Sequence, residues 1–168
     1  IPRSKHTLRW DLARIPDLGK RLWWVVFTDH PDCPVLPLRI RNAATGARAD
    51  SARFERHWLQ DESFVNGQVL TAGVPAEFSV VIKHYNPRAR NAVQKPAWRE
   101  VLAVSSSDPR MSFEYLDSTP VSDEEVRVRF RVTPSAVMRG PTETFFTVTT
   151  ATGSGPFTLG AVVEAPGR

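Results

Sequence analysis

A chain of 168 residues can bury a core of ordinary size without cross-links, and its hydrophobic fraction of 41% and charged fraction of 24% are those of a globular protein. With 14 prolines long helices are disfavoured, the single cysteine excludes an internal disulfide framework, and no apolar run approaches the roughly 20 residues of a bilayer-spanning helix. The formal charge is +4, and of the 22 basic residues only Lys5, Lys20, Lys83 and Lys95 are lysines; the remaining eighteen are arginines, which suit bidentate pairing with carboxylate or phosphate.

The first residue is Ile1, from which we expect a leader, anchor or further segment upstream. Cysteine usage leaves the compartment open. The first half of the chain predicts three strands. "TLRWDLA" alternates Leu8, Trp10 and Leu12, "RLWWVVF" is short, β-branched and aromatic, and "VLPLRIR" alternates Leu36, Leu38 and Ile40 against Arg39 and Arg41. Trp23 and Trp24 are adjacent, so on a strand they point to opposite faces and only one can join a given core. The other must meet a second layer, a partner or a membrane interface, where tryptophan is favoured and the neighbouring Lys20 and Arg21 suit anionic lipid. Between these strands "TDHPDCP" brings His30, Asp32 and Cys33 close together. A tetrahedral metal site needs four ligands, so His30 and Cys33 are weak metal candidates against a plain proline-rich turn, and no orienting partner marks them as a catalytic pair.

In "DSARFERHWLQDESF", Asp50 or Ser51 can cap a helix while Phe54, Trp58 and Leu59 recur at helical spacing, which predicts one short helix near 51–62. "TAGVP", residues 71–75, is the expected boundary between a strand-rich segment over 1–74 and a second unit over 75–168.

Beyond it, period-two alternation dominates. "PAEFSVVIKHYNP" sets Phe78, Val80, Ile82 and His84 against Ser79, Val81, Lys83 and Tyr85. "WREVLAVSSSDP" and "RMSFEYLD" give consecutive strands, the second with Met111, Phe113 and Tyr115 inward. In "EVRVRFRV", Val126, Val128, Phe130 and Val132 occupy one face and Arg127, Arg129 and Arg131 the other. A register slip of one residue would bury three arginines, so this register is strongly specified. "TETFFTVTT" and "PFTLGAVVEA", joined by "ATGSG", complete the set. Strands spaced about ten residues apart point to a mostly β fold, an immunoglobulin-like antiparallel β-sandwich with a strand-rich N-terminal extension.

The arginines of the row stand about 7 Å apart and need anions nearby. Acidic side chains on an adjacent strand, such as Glu114 or Glu143, a lipid or nucleic-acid phosphate, or an acidic partner protein would serve. Nucleic acid is disfavoured, because no aromatic platform is interleaved with the basic residues. His6, His57 and His84 are scattered; the carboxylates of "QDESF" and "SDEEV" fit solvated turns; "ATGSGP" lacks the lysine of a phosphate loop. Nothing in the sequence requires a cofactor or assembles a catalytic set.

The order "VLAVSSSDPRMSFEYL", "VRVRFRVTPSAVMRG", "FFTVTTATGSGPFTLGAVVEA" resembles the bacterial hydin-like immunoglobulin-fold domains, over a little more than half the chain. Ser105 to Ser107 stand where many bacterial members carry a cysteine-containing turn. The resemblance implies a non-enzymatic binding or scaffolding module. With the basic row, the tryptophan pair and proline-rich connections such as "DHPDCPVLP", it points to an accessory subunit of a larger, membrane-peripheral assembly. The expected partner contacts are Arg127, Arg129, Arg131, Arg39, Arg41, Trp23 and Trp24, with an extracytoplasmic setting favoured over the cytoplasm. An exported adhesin-like or chaperone-like binding module is the alternative class, and a metal carrier using His30 and Cys33 a third.

Overall fold

The computed structural model describes residues 23–39, 59–60, 63–83, 100–122, 125–151 and 153–167. Among the described residues ten strands follow in chain order: β1 (Trp23–Phe27), β2 (Val35–Arg39), β3 (Leu59–Gln60), β4 (Phe64–Thr71), β5 (Ala76–Lys83), β6 (Val101–Ser106), β7 (Met111–Pro120), β8 (Glu125–Pro134), β9 (Gly140–Thr150) and β10 (Gly153–Glu164). They form two four-stranded sheets, in the orders β4-β10-β9-β6 and β3-β5-β8-β7, and a separate two-stranded ribbon, β1-β2.

The alternating patterns settle the sandwich. Val126, Val128, Phe130 and Val132 of β8 are all essentially inaccessible, at most 1% exposed, while Arg127 and Arg129 are exposed. Each apolar side chain so buried contributes about 1.5 to 3 kcal/mol, which fixes the strand's facing. Across the gap, β9 and β10 supply Phe146, Val148, Phe157 and Leu159. The two layers meet in an aromatic cluster: Phe146 lies 5.1 Å from Phe130, 4.8 Å from Phe113 and 5.2 Å from Phe157, ring centroid to ring centroid.

"ATGSG" is a hairpin, since β9 and β10 pair antiparallel from Thr150↔Gly153 to Gly140↔Val163. One pairing departs from the expected all-antiparallel sandwich, because β4 runs parallel to β10, from Phe64↔Thr158 to Thr71↔Glu164. β4 thus lies before the expected boundary at 71–75, yet it is a strand of one main sheet. That ladder is interrupted at Gly67, which the register skips between Asn66↔Gly160 and Gln68↔Ala161. A Cβ on Gly67 would sit 2.9 Å from the Ala161 Cβ, and Gln68 takes a positive φ of 49°. A glycine there lets the bulge press against the core.

The ribbon forms a third layer. A Cβ on Gly160 of β10 would lie 2.9 Å from the Val25 Cγ1, 2.9 Å from the tip of the Phe64 ring and 3.2 Å from the Val35 Cγ1. The inner face of the ribbon therefore carries Val25 and Val35, with Val35 only 1% exposed. Leu36 and Leu38, which share a face in the alternation of "VLPLRIR", are turned outward and are 42% and 37% exposed. The close approach over Gly160 admits a valine, and the alternation then turns both leucines outward. The helix expected near 51–62 falls mostly outside the described residues, and its two described positions, Leu59 and Gln60, form β3 beside Lys83 and Ile82. The strand expected at "TLRWDLA" and the positions of His6, His57 and His84 also lie outside them.

Candidate interaction surfaces on the outer faces

The arginine row acquires local partners through the register of three strands. β8 lies between β5 and β7, with Glu77 and Glu114 aligned on either side of Arg131, and Ser79 and Asp117 on either side of Arg129. Arg131 donates from Nη1 to Glu114 Oε2 at 3.0 Å and from Nη2 to Glu77 Oε1 at 3.1 Å. Arg129 donates from Nη1 to Asp117 Oδ2 at 2.7 Å and from Nη2 to Glu77 Oε2 at 2.9 Å. The order across the sheet is Glu114, Arg131, Glu77, Arg129, Asp117, a chain of charge-assisted bonds in which Glu77 is shared.

Of the two cross-strand partners weighed from the sequence, Glu114 is present. Glu143 belongs to β9 of the other sheet, aligned with Gly160. Asp117 reaches the row only because of a bulge. Glu114 and Asp117 are three residues apart and would face opposite ways on a regular strand; the register skips Leu116, and Asp117 lands beside Arg129.

Electrostatics follow the geometry. Hydrogen bonding from Arg131, then from Arg129, holds the Glu77 carboxyl below the ordinary carboxylate value, and the bond to Glu77, with the charge of Glu114, raises Arg131. Arg127 differs from its neighbours: its aligned residues are Val81 on β5 and Thr119 on β7, and among the described residues no carboxylate pairs with it. The row is thus largely neutralised by its own sheet.

At the corner between β6 and β7, Arg110 makes a bidentate pair with Asp108, from Nε at 3.0 Å and Nη2 at 2.9 Å. That contact lowers the Asp108 carboxyl.

The tryptophan pair divides as the strand alternation requires. Trp23 faces the sandwich: its Nε1 donates to Ser63 Oγ at 2.7 Å and its ring lies 5.4 Å from that of Phe64. Trp24 aligns with Leu38 and Val26 with Leu36, which puts all four on the ribbon's outward face. Asn66 Nδ2 donates to the Val35 carbonyl at 3.3 Å, a second polar fastening of the ribbon to β4. Arg39 aligns with Trp23 at the ribbon's open end, and Arg41 lies outside the described residues.

His30 and Cys33 sit in the β1–β2 turn. The Cys33 amide donates to the His30 carbonyl at 3.1 Å, the Asp32 amide donates to His30 Nδ1 at 3.2 Å, and the Thr28 hydroxyl donates to the Cys33 carbonyl. Cys33 is an exposed free thiol. These contacts account for the residues as turn formers, and among the described residues no three His, Cys, Asp or Glu side chains come together as a metal site.

No family model matches the chain, and no curated protein matches it. Among solved structures it is similar to an endo-fucoidan hydrolase from glycoside hydrolase family 107, with 10% identity and a TM-score of 0.37 over 68% of this chain. The chain spans 14% of that hydrolase's length. It is also similar to a titin–obscurin-like 1 Ig complex, with 15% identity and a TM-score of 0.33 over 67% of this chain and 98% of the other. A third similarity is to titin domains in complex with telethonin, with 15% identity and a TM-score of 0.33 over 66% and 49% of the two chains.

Proposed function

We propose that this chain is a non-catalytic accessory or scaffolding subunit of a larger protein assembly at a membrane surface, built on an immunoglobulin-like module of the bacterial hydin-like kind. The observation that carries the reading is the contrast between its outer faces. One is a self-paired charge ladder suited to water; the other carries a ribbon whose outward residues, Leu36 and Leu38, are large, apolar and exposed. Neighbouring apolar side chains of that type on one face can form part of a docking patch, and that is the role this reading gives them. Arg127 offers a cationic contact on the ladder face.

The test is gentle detergent extraction from the native source, size separation, and mass spectrometry of what co-migrates. The expected result is a defined set of membrane proteins; migration as a free species of the chain's own mass is the result against it.

A second reading, an exported binding module that pairs a sheet edge with another chain, is favoured by β7. Among the described strands it lies at the edge of its sheet, and it is ten residues long. Such edges present backbone groups for strand addition. In that case a partner-derived peptide would protect β7 amides from hydrogen exchange.

A further inference from the structure

We propose that Asn66 is a self-modification site. Its side-chain amide is converted to aspartate or isoaspartate through attack by the Gly67 backbone nitrogen, and the product unfastens the β1–β2 ribbon from β4. Neither residue enters the accessory-subunit reading.

The step begins with a dipeptide. Asn66–Gly67 is the one asparagine–glycine pair in the sequence; Asn42, Asn86 and Asn91 are followed by Ala43, Pro87 and Ala92. A peptide nitrogen attacks the side-chain carbonyl of the preceding asparagine most readily where no Cβ on its own residue shields it, and glycine has none.

The fold then arranges the reacting groups. Asn66 is exposed and lies on β4, an edge strand of its sheet among the described strands. Its Oδ1 accepts a hydrogen bond from the Gln68 amide at 3.0 Å. That bond folds the side chain back over the Gly67 peptide, closing a ring that contains both the Asn66 Cγ and the Gly67 nitrogen. A donor so placed also draws electron density from the carbonyl under attack. The bulge leaves Gly67 with no aligned residue on β10 and sets Gln68 at a φ of 49°. The ladder therefore holds the attacking peptide less firmly than its neighbours.

Atoms and electrons balance. The Gly67 nitrogen gives its proton to solvent base and bonds to the Asn66 Cγ; the Cγ–Nδ2 bond breaks, ammonia leaves, and a cyclic imide remains. Water then opens the imide at either carbonyl. Opening at Cγ gives aspartate, and opening at the Asn66 main-chain carbonyl gives isoaspartate, whose backbone runs through the side chain. Water enters, ammonia departs, and nothing is oxidised or reduced.

Losing the amide matters because Nδ2 donates to the Val35 carbonyl at 3.3 Å. Val35 is 1% exposed and is one of the residues by which the ribbon rests over Gly160. A carboxylate only accepts, so conversion removes the donor and sets a negative oxygen against that carbonyl. Isoaspartate also adds a methylene to the backbone beside Gly67, where a Cβ would already lie 2.9 Å from the Ala161 Cβ.

The experiment incubates the folded full chain in heavy-oxygen water from neutral to mildly alkaline pH, with fragmentation mass spectrometry and enzymatic methylation of isoaspartate. Heavy oxygen is expected at Asn66, with part of the product as isoaspartate and a rate that rises with pH. The rate should lie within about tenfold of that of an unstructured peptide spanning the same residues, because no unfolding has to precede attack. A slower rate than this would show that the folded bulge protects Asn66, and aspartate without isoaspartate would exclude the imide; either overturns the proposal. Asn66→Ser, which keeps an acceptor for the Gln68 amide, is the control that cannot convert.

Release is read by hydrogen exchange. Asn66→Asp should exchange about tenfold faster than wild type in residues 23–39, as expected for one lost bond to a buried residue's carbonyl, with β8 and β9 unchanged. Wild type enriched in the converted product should behave the same way, and carries the measurement if the variant fails to fold. Unchanged ribbon exchange in both overturns the release, and so does acceleration spread equally through β8 and β9.

Discussion

Glu77 sits between Arg129 and Arg131 and gives one carboxylate oxygen to each, at 2.9 and 3.1 Å. Two like charges on one strand face are thereby held by a single residue on the neighbouring strand. This acid couples the two halves of the ladder: among the described residues Glu114 pairs with Arg131 and Asp117 with Arg129.

That sharing has a pH signature. Glu77 is lowered from the ordinary 4.5, so its contribution to stability is fully present above about that pH and is lost as pH falls through the lowered folded value. Denaturant unfolding measured from neutral pH into the acid range should show a shallower acid limb in Glu77→Gln than in wild type. Coincident acid limbs would mean that the ladder adds nothing to folding.

Replacing Arg127, Arg129 and Arg131 together with glutamine should leave a folded protein, because the buried face of β8 is untouched. Melting temperature should fall modestly at low salt and converge on the wild-type value as salt rises, since exposed ion pairs are screened. A large loss independent of salt would show that the row holds the sandwich by packing.

Phe130 is 0% exposed and lies between the two sheets, stacked on Phe113 and tilted against Phe146. Phe130→Ala should cost about 3 to 5 kcal/mol in denaturant unfolding. A change below about 1 kcal/mol would refute the register of β8.

Gly160→Ala tests the third layer. The new methyl would meet Val25 and Phe64 at 2.9 Å, and overpacking of this kind costs about 1 to 3 kcal/mol. The expected response is displacement of the ribbon, seen as faster hydrogen exchange in residues 23–39 with the exchange of β8 and β9 unchanged. Uniform acceleration throughout would show instead that ribbon and sandwich unfold as one unit.

How much of this was legible beforehand differs strand by strand. In β8 the alternation of valine and phenylalanine with arginine is unambiguous, because burying three guanidinium groups is prohibitive; facing and core membership were readable from eight residues. The same holds for Trp23 and Trp24, whose opposite orientations follow from strand geometry alone. In β2 the pattern left the facing open, since Val35 and Leu36 are both apolar and period two has no preference between their phases. Only the absence of a side chain at Gly160, distant in sequence, selects Val35 as the buried one. Asp117 was hidden by a bulge that reverses its parity after Leu116, and Glu77 was visible only as an outward residue of its own strand. The parallel partnership of β4 with β10 joins segments about ninety residues apart, beyond anything local periodicity encodes. Local side-chain chemistry determined which strands exist and, where charge and apolarity alternate, which way they face. Which strands lie side by side, and so whether an arginine meets a carboxylate or a leucine meets solvent, was decided by packing between residues remote in the chain.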